Sequence, residues 1–460
     1  MTAHPTPASA TLATPTVRAR RRPTWWRAPR RSDLDFATRD ASLALTVAIA
    51  ALILRLPLSV VLVALLSVVV LAWNGIRVPR ATAAPLWAFM LLGLGSSLVA
   101  WSRLPDPGVW GAEFSPIPLV NNATVMVVMM ALTAAITTTQ RQTQVLKRVM
   151  DGIVLGLWAV LGLAAFEVIS GIKLLPILYP EGNTVDQISQ NRLIVASIFP
   201  NYNDFSVAMA IFGTVLTAQL LLGAGVSRKV RAARIGALAF LSFLIVVIGS
   251  RGALMALVIG IVIVVVTTAR VRHRGLVSVP MLVLGLTGVT LAGLLASQMP
   301  FFTDPSSLRR VGIIRDTLAM MPPDRGYFWH GFASPQYFSE LAAEIYGPVL
   351  MNPHNMLLEI ASMYGIPTLI AFVVLWIYVL NRGLWLLRIA TGWREVSAVT
   401  VTALMPIIGV VPSSTMRYYW VYPFLAASIS AFQLYDTTKR RRSDSPPVVV
   451  SETAAGDDAD

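Results

Sequence analysis

The chain has 460 residues, of which 55% are hydrophobic and only 13% are charged, and its mean hydropathy is +0.67. Soluble globular proteins carry about 25% charged residues, so this composition excludes a soluble globular enzyme. The chain contains no cysteine, which excludes disulfides, thiolate nucleophiles and cysteine-based metal sites. The net charge of +14 does not indicate nucleic-acid binding, because the basic residues form short clusters between apolar stretches.

Apolar stretches long enough to cross a bilayer as helices recur along most of the chain. Residues 1–32 are rich in Pro, Thr, Ala and Arg, and we expect a disordered, basic cytoplasmic segment there. The acidic tail 443–460 is also expected to be disordered and cytoplasmic. Between them, residues 33–442 predict an all-α polytopic membrane bundle of about twelve transmembrane helices, at 41–55, 57–74, 84–101, 121–139, 150–170, 204–223, 235–250, 252–269, 277–297, 355–380, 396–412 and 419–436.

The basic clusters orient this bundle in the membrane. With a cytoplasmic N-terminus, every cluster lies on the cytoplasmic side, as the positive-inside rule requires, and both termini are cytoplasmic. We expect the same clusters to contact anionic membrane lipids. The sequence therefore predicts a multi-pass protein of the bacterial inner (plasma) membrane. Its extracytoplasmic segments are 102–120, 171–203 and 298–354.

The segment 298–354 is too long to be a simple connection, and loops of this length are usually functional or disordered. Its mixture of aromatic and charged residues favours an ordered structure. Apolar side chains recur at helical spacing from Leu308 to Met321, which predicts an amphipathic helix. A second short helix is predicted from Pro335 to Tyr346. Such helices would pack on the bundle as an extracytoplasmic lid.

Two arginines lie on the predicted extracytoplasmic side. Arg251 belongs to Gly-Ser-Arg-Gly at 249–252, a turn so short that Arg251 must lie near the membrane boundary. An arginine there is costly unless it is solvated or paired, which makes it a functional candidate. Arg192 lies in the loop 171–203. The alternatives are lipid-phosphate binding for Arg251 and simple exposure for Arg192. Together, two guanidinium groups can bind diphosphate oxygens bidentately.

The sequence Asn-Pro-His-Asn at 352–355 marks the point where the long loop meets an apolar helix. Histidine titrates near neutral pH, so His354 can accept and return a proton at the membrane surface. The alternative is a helix-capping Asn355 with an unrelated histidine beside it. Glu359 follows about one helical turn later, where it could orient His354. Its alternative is a polar residue that is hydrogen-bonded inside the bundle.

Three segments resemble the O-antigen ligase and polymerase superfamily of polytopic membrane glycosyltransferases. The first joins Arg192 to Phe-Pro-Asn-Tyr-Asn at 199–203, the second is Ser-Arg-Gly at 250–252, and the third runs from His354 through Gly-Ile-Pro at 365–367. Their order, spacing and predicted side of the membrane are similar to those of the family. Thr368 stands where the family often has glycine, a difference that bears on acceptor specificity.

The resemblance implies a glycosyltransferase that needs neither a metal nor another cofactor. The donor would be a glycan on undecaprenyl or another polyprenyl diphosphate, and the acceptor would be a hydroxyl of a glycan or glycolipid. His354 would be the catalytic base. The substrate would be bound by Arg192 and Arg251 at the diphosphate and by Asn201, Asn203, Asn355 and Glu359 nearby. Capping or turn roles are the alternatives for the three asparagines.

Other functional classes stay open from the sequence. A secondary transporter would also have twelve spans, but transporters place ionisable groups near the membrane midplane, whereas here they gather at one face, with Glu167 near a span end. An enzyme resembling the peptidoglycan polymerases would use a loop aspartate as base, and Asp304, Asp316 and Asp324 are available. Within the resembled family, a ligase and a surface-polysaccharide polymerase are equally compatible with the sequence.

Overall fold

The computed structural model describes residues 43–56, 58–74, 81–102, 117–139, 141–172, 195–199, 202–223, 225–272, 305–324, 326–332, 338, 341–342, 345, 355–390, 392–409 and 421–444. Within these ranges every secondary-structure element is a helix. The helices are α1 (Leu43–Ile53), α2 (Ser59–Asn74), α3 (Ala84–Ser102), α4 (Ile117–Thr137), α5 (Gln142–Ser170), α6 (Tyr202–Leu222), α7 (Arg228–Ile248), α8 (Arg251–Arg272), α9 (Pro305–Ala319), α10 (Gly326–His330), α11 (Met356–Leu386), α12 (Trp393–Ile408) and α13 (Val421–Asp444).

A helix occupies every predicted span except 277–297, which lies outside the described residues. Six of the described helices are long and apolar enough to cross a membrane, so the chain is a multi-pass membrane protein. The total of about twelve transmembrane helices stays a prediction. Several helices extend beyond the predicted apolar limits, because polar first turns such as Gln142 in α5 and Arg228 in α7 continue the same helix.

Two local predictions are confirmed. The first two spans are separated at Arg55 and Leu58, whose backbones take left-handed φ values of 55° and 61°. The amphipathic helix expected at 308–321 is α9. Beyond it, Met320, Met321, Phe332, Phe338 and Leu341 form a small hydrophobic core that packs on Ala361 of α11. The loop between α8 and α11 therefore has an ordered part that is docked on the bundle.

Ion pairs and hydrogen bonds between helices establish which helix ends lie together. Arg394 in the first turn of α12 pairs with Asp151 near the start of α5 at 2.7 Å. Arg382 near the end of α11 pairs with Asp436 of α13 at 2.6 Å. These contacts collect at one end of the bundle, which we call the basic end because it carries the clusters at the starts of α5, α7 and α12 and the ends of α8 and α11.

The opposite helix ends meet at what we call the site end. The far end of α5 reaches the segment ahead of α6, because the Ser197 N–H donates to Glu167. The far end of α12 reaches the start of α11, because the Met356 N–H donates to the Gly409 carbonyl at 2.9 Å. Since α6, α7 and α8 follow one another through short connections, the start of α8 lies at this end too.

Candidate functional site

The predicted tight turn before Arg251 is present at the site end. α7 ends at Gly249, whose φ of 74° is left-handed and whose N–H bonds to the carbonyls of Ile245 and Val246. α8 then begins at Arg251, which is half-buried. The Arg251 guanidinium belongs to the first residue of α8, where the helix dipole is also positive. The first turn of α8 contains no acidic residue. This arrangement favours an anionic ligand.

The helix that follows His354 in sequence is broken. Gly365 lies inside α11 with φ 81° and ψ 169°, values that no α-helix contains. The Thr368 hydroxyl donates to the Tyr364 carbonyl across the break at 2.9 Å. The helix predicted at 355–380 is present, and the structure adds a break within it: a half-helix at 356–364 precedes the longer membrane helix.

Two hydrogen bonds require this break. The Trp376 indole donates to the Ala403 carbonyl, and the Met356 N–H donates to the Gly409 carbonyl. The two acceptor residues, Ala403 and Gly409, are six positions apart on α12, which is about 9 Å along the helix axis. The two donor residues, Met356 and Trp376, are twenty positions apart, which would be about 30 Å along a straight α11. The half-helix must therefore turn away from the axis of the membrane helix. Its N-terminus meets the end of α12 inside the site end.

Asn355 caps the half-helix. Its Oδ1 accepts hydrogen bonds from the N–H groups of Leu357 at 2.9 Å and Leu358 at 3.4 Å. This is the capping role that the sequence left open as an alternative to sugar binding. Glu359, also predicted as a substrate-binding residue, is 3% exposed in the first turn, where the helix dipole stabilises a carboxylate. Asn355 therefore fixes the start of the half-helix.

Two glycines fasten the loop element α10 onto the break. A Cβ on Gly365 would lie 2.3 Å from the Trp329 carbonyl oxygen, and a Cβ on Gly331 would lie 2.4 Å from the Met363 carbonyl carbon. The Phe332 N–H also donates to the Ser362 carbonyl at 2.7 Å. Both glycines have left-handed φ values, so no other residue fits either place without strain. We call this contact the glycine clasp.

The remaining predicted site residues divide into two groups. Asn203 lies in the first turn of α6 and is half-buried, beside the buried Asp204. His354, Arg192 and Asn201 lie outside the described residues. His330 is buried, and its ring packs edge-on against Tyr327 in the docked part of the loop.

The sequence drew attention to Glu167 only as a rare charge near a span end, and it did not predict that this carboxylate binds the backbone of Ser197 at 2.8 Å. Among the described residues, no group of three His, Cys, Asp or Glu side chains could hold a metal ion.

Residues 236–373 match the family model described as O-antigen ligase. This match spans the Gly249–Arg251 turn, α8 and the broken part of α11, which carry two of the three resembling segments. This match over about 30% of the chain supports membership of the O-antigen ligase and polymerase superfamily. The family implies an enzyme that ligates or polymerises glycans. Enzymes of this kind act on lipid-linked glycans and acceptors, which is the class of substrate that the sequence predicts. No curated protein matches the chain at a significant level.

Proposed function

We propose that the chain is a metal-independent glycosyltransferase on the extracytoplasmic face of the plasma membrane. It transfers a glycan from a polyprenyl-diphosphate carrier to an acceptor hydroxyl. One observation carries the proposal: the family match at 236–373 includes Arg251 and His354, and the helices that begin at Arg251 and Met356 start at the same end of the bundle. The gathering of basic clusters at the opposite end supports an extracytoplasmic site end.

The diphosphate is bound first. Arg251 at the start of α8 and Arg192 ahead of α6 contact its oxygens, because guanidinium groups stay charged and bind phosphate bidentately. The N-termini of α8 and of the half-helix add the positive ends of two helix dipoles. Asn201 and Asn203 bind sugar hydroxyls. Asn355 caps the half-helix and thereby fixes the chain next to His354.

Transfer then follows in one displacement. His354 removes the proton of the acceptor hydroxyl, whose oxygen forms a bond to the anomeric carbon. The bond between that carbon and the diphosphate oxygen breaks, and the arginines stabilise the negative charge that grows on the leaving polyprenyl diphosphate. Glu359, buried one turn into the half-helix, orients the His354 imidazole.

The direct test is transfer of a labelled, lipid-linked glycan by the purified full chain in detergent, with and without EDTA. We expect transfer in both conditions. Activity that EDTA abolishes and a divalent ion restores would refute the metal-independent mechanism and favour a transferase using the aspartates of the loop. Absence of transfer with any polyprenyl-diphosphate donor would refute the reaction itself.

A ligase and a polymerase differ in what accumulates when the gene is deleted. Loss of attachment, with long lipid-linked chains remaining, identifies a ligase, which we propose. Loss of polymer length, with single repeat units still attached, identifies a polymerase of the same superfamily.

The proposed sidedness has its own test, which the absence of cysteine makes clean. In intact cells, an impermeant maleimide should label Ser339→Cys in the long loop and leave Ser227→Cys, at the start of α7, unlabelled. The reverse pattern would refute the extracytoplasmic site.

A further inference from the structure

One buried carboxylate at the site end has no role in the proposed reaction. Glu167 is 3% exposed and lies about one turn before α5 ends at Ser170. Its Oε2 accepts a hydrogen bond from the Ser197 N–H at 2.8 Å, across 30 positions of sequence. The carboxylate thus joins the end of a membrane helix to a piece of backbone that belongs to no helix.

The segment 195–199 needs such support. Val195, Ala196, Ser197 and Phe199 are all buried, yet the segment belongs to no helix and contains only a turn, in which the Phe199 N–H donates to the Ala196 carbonyl at 2.9 Å. Ser197 has a left-handed φ of 51°, a strained conformation for a residue with a Cβ. Backbone N–H groups in an apolar interior must be hydrogen-bonded. Glu167 supplies the acceptor for the strained residue.

Ser197 lies at the centre of the residues that bind the donor in the proposed function. Arg192 precedes it by five positions, and Asn201 and Asn203 follow within six. The segment is also tied to α6, because the Phe199 ring packs against Phe205 with centroids 6.4 Å apart. A displacement of the Ser197 backbone would therefore be transmitted through Phe199 to α6, whose first turn carries Asn203.

We propose that Glu167 is a positioning residue, which fixes the Ser197 N–H and thereby holds the segment 195–199, whose sequence neighbours Arg192, Asn201 and Asn203 bind the donor in the proposed function. This inference rests on the proposed function. It assigns Glu167 to donor binding rather than to proton transfer. A segment that is held before the donor arrives does not have to be ordered by the donor, so binding is tighter.

Two substitutions at Glu167 separate the contact from the carboxylate's charge. Glu167→Ala removes the acceptor and leaves a buried N–H unpaired, and we expect the donor KM to rise about tenfold with a smaller change in kcat. Glu167→Gln keeps a side-chain oxygen that can accept the Ser197 N–H, because the two side chains have the same length. We expect its donor KM to lie within about twofold of the wild-type value. The acceptor KM should be unchanged in both.

Substitutions at Ser197 test the other partner. Ser197→Pro removes the N–H and imposes a φ near −65°, so it should raise the donor KM as Glu167→Ala does. Ser197→Gly keeps the N–H, adopts the left-handed φ freely and loses only the long 3.5 Å bond from its hydroxyl to the Val160 carbonyl, so the donor KM should stay near the wild-type value. Because Glu167 acts on this segment through the bond that Ser197→Pro already removes, Glu167→Ala combined with Ser197→Pro should raise the KM no further than Ser197→Pro alone.

The matched control lies on the same helix at the basic end. Gln142 donates to the Gln433 side chain at 2.6 Å, so Gln142→Ala also removes a bond between elements. It should lower thermal stability without changing the donor KM. A Glu167→Ala protein with a wild-type donor KM, or a Gln142→Ala protein with the same rise, would overturn the assignment.

Direct binding of undecaprenyl diphosphate to the full chain distinguishes this inference from the proposed function. Weaker binding by Glu167→Ala, with Glu167→Gln like the wild type, supports the inference even if no transfer is observed. Equal binding by all three proteins overturns it, whether or not the wild type transfers a glycan.

Discussion

The two ends of the bundle are held together by different chemistry. At the basic end, the described bonds between helices are donated by side chains: Arg382 to Asp436, Arg394 to Asp151 and Gln142 to Gln433, with Thr46 and Arg234 donating to the backbone carbonyls of Arg148 and Gln219. At the site end, the described bonds between elements engage the backbone: Ser197 N–H to Glu167, Phe332 N–H to Ser362 and Met356 N–H to Gly409. The glycine clasp adds backbone-to-backbone packing there.

This difference indicates which end of the bundle tolerates amino-acid substitutions. A half-exposed ion pair contributes about 0–1 kcal/mol, because water screens the charges and long side chains lose entropy. A bond donated by a backbone N–H fixes the chain itself, and its loss leaves a buried N–H unpaired. We expect substitutions at the site end to alter geometry and activity, and those at the basic end to alter stability slightly.

The largest effect is expected at the proposed base. His354→Ala should reduce transfer by roughly 10²–10⁴-fold, the usual loss for a positioned general base, while undecaprenyl diphosphate still binds. His330→Ala is the matched control, because His330 is buried in the docked loop. It should lower thermal stability and keep most transfer activity. An active His354→Ala protein beside a stable but inactive His330→Ala protein would mean that His330 is the base.

The diphosphate contact is expected to give the next largest effect. Arg251→Lys keeps the charge but loses the planar fork, so affinity for undecaprenyl diphosphate should fall roughly 10–100-fold in a direct binding measurement. Arg192→Ala should weaken binding in the same direction. Arg382→Lys at the basic end should leave the affinity unchanged. Wild-type affinity in both site-end variants would refute the diphosphate assignment.

Substitutions in the glycine clasp should change the free energy of unfolding more than the affinity for undecaprenyl diphosphate. Gly365→Ala imposes a left-handed φ on alanine and a contact with the Trp329 carbonyl, and we expect a loss of about 1–3 kcal/mol in thermal unfolding. Gly95→Ala, in α3, meets no atom within 4 Å and should be neutral or stabilising. If the two variants unfolded at the same temperature, the clasp would not hold the loop.

The smallest effect is expected at the basic end. Asp436→Asn weakens a pair with Arg382 in which both side chains are about one-third exposed. We expect a loss of about 0–1 kcal/mol at low salt, which shrinks as salt is added, and unchanged transfer. A tenfold loss of transfer would show that the basic end takes part in function after all.

The apolar pattern and the short Gly-Ser-Arg-Gly turn predicted most helices and the position of Arg251, because both depend on neighbours in sequence. The break at Gly365 was not predicted, since hydropathy is continuous across Gly-Ile-Pro and is insensitive to φ. Pro367 carried a signal, because proline disfavours the helical conformation in the residue before it. The contacts of Glu167 with Ser197 and of Gly331 with Met363 join residues that are about 30 positions apart. They could be identified only from the folded structure.

The glycine clasp and the Asn355 cap also bear on how this protein can diversify. They hold the chain at Phe332 and again at Asn355, so the positions between them begin and end at fixed points. The entropy of closing a loop grows only slowly with its length, so insertions between two fixed points disturb a fold little. Insertions at 343–353, after the docked Phe338, Leu341 and Ala342, should therefore disturb the fold least while changing the chain just before the proposed base His354.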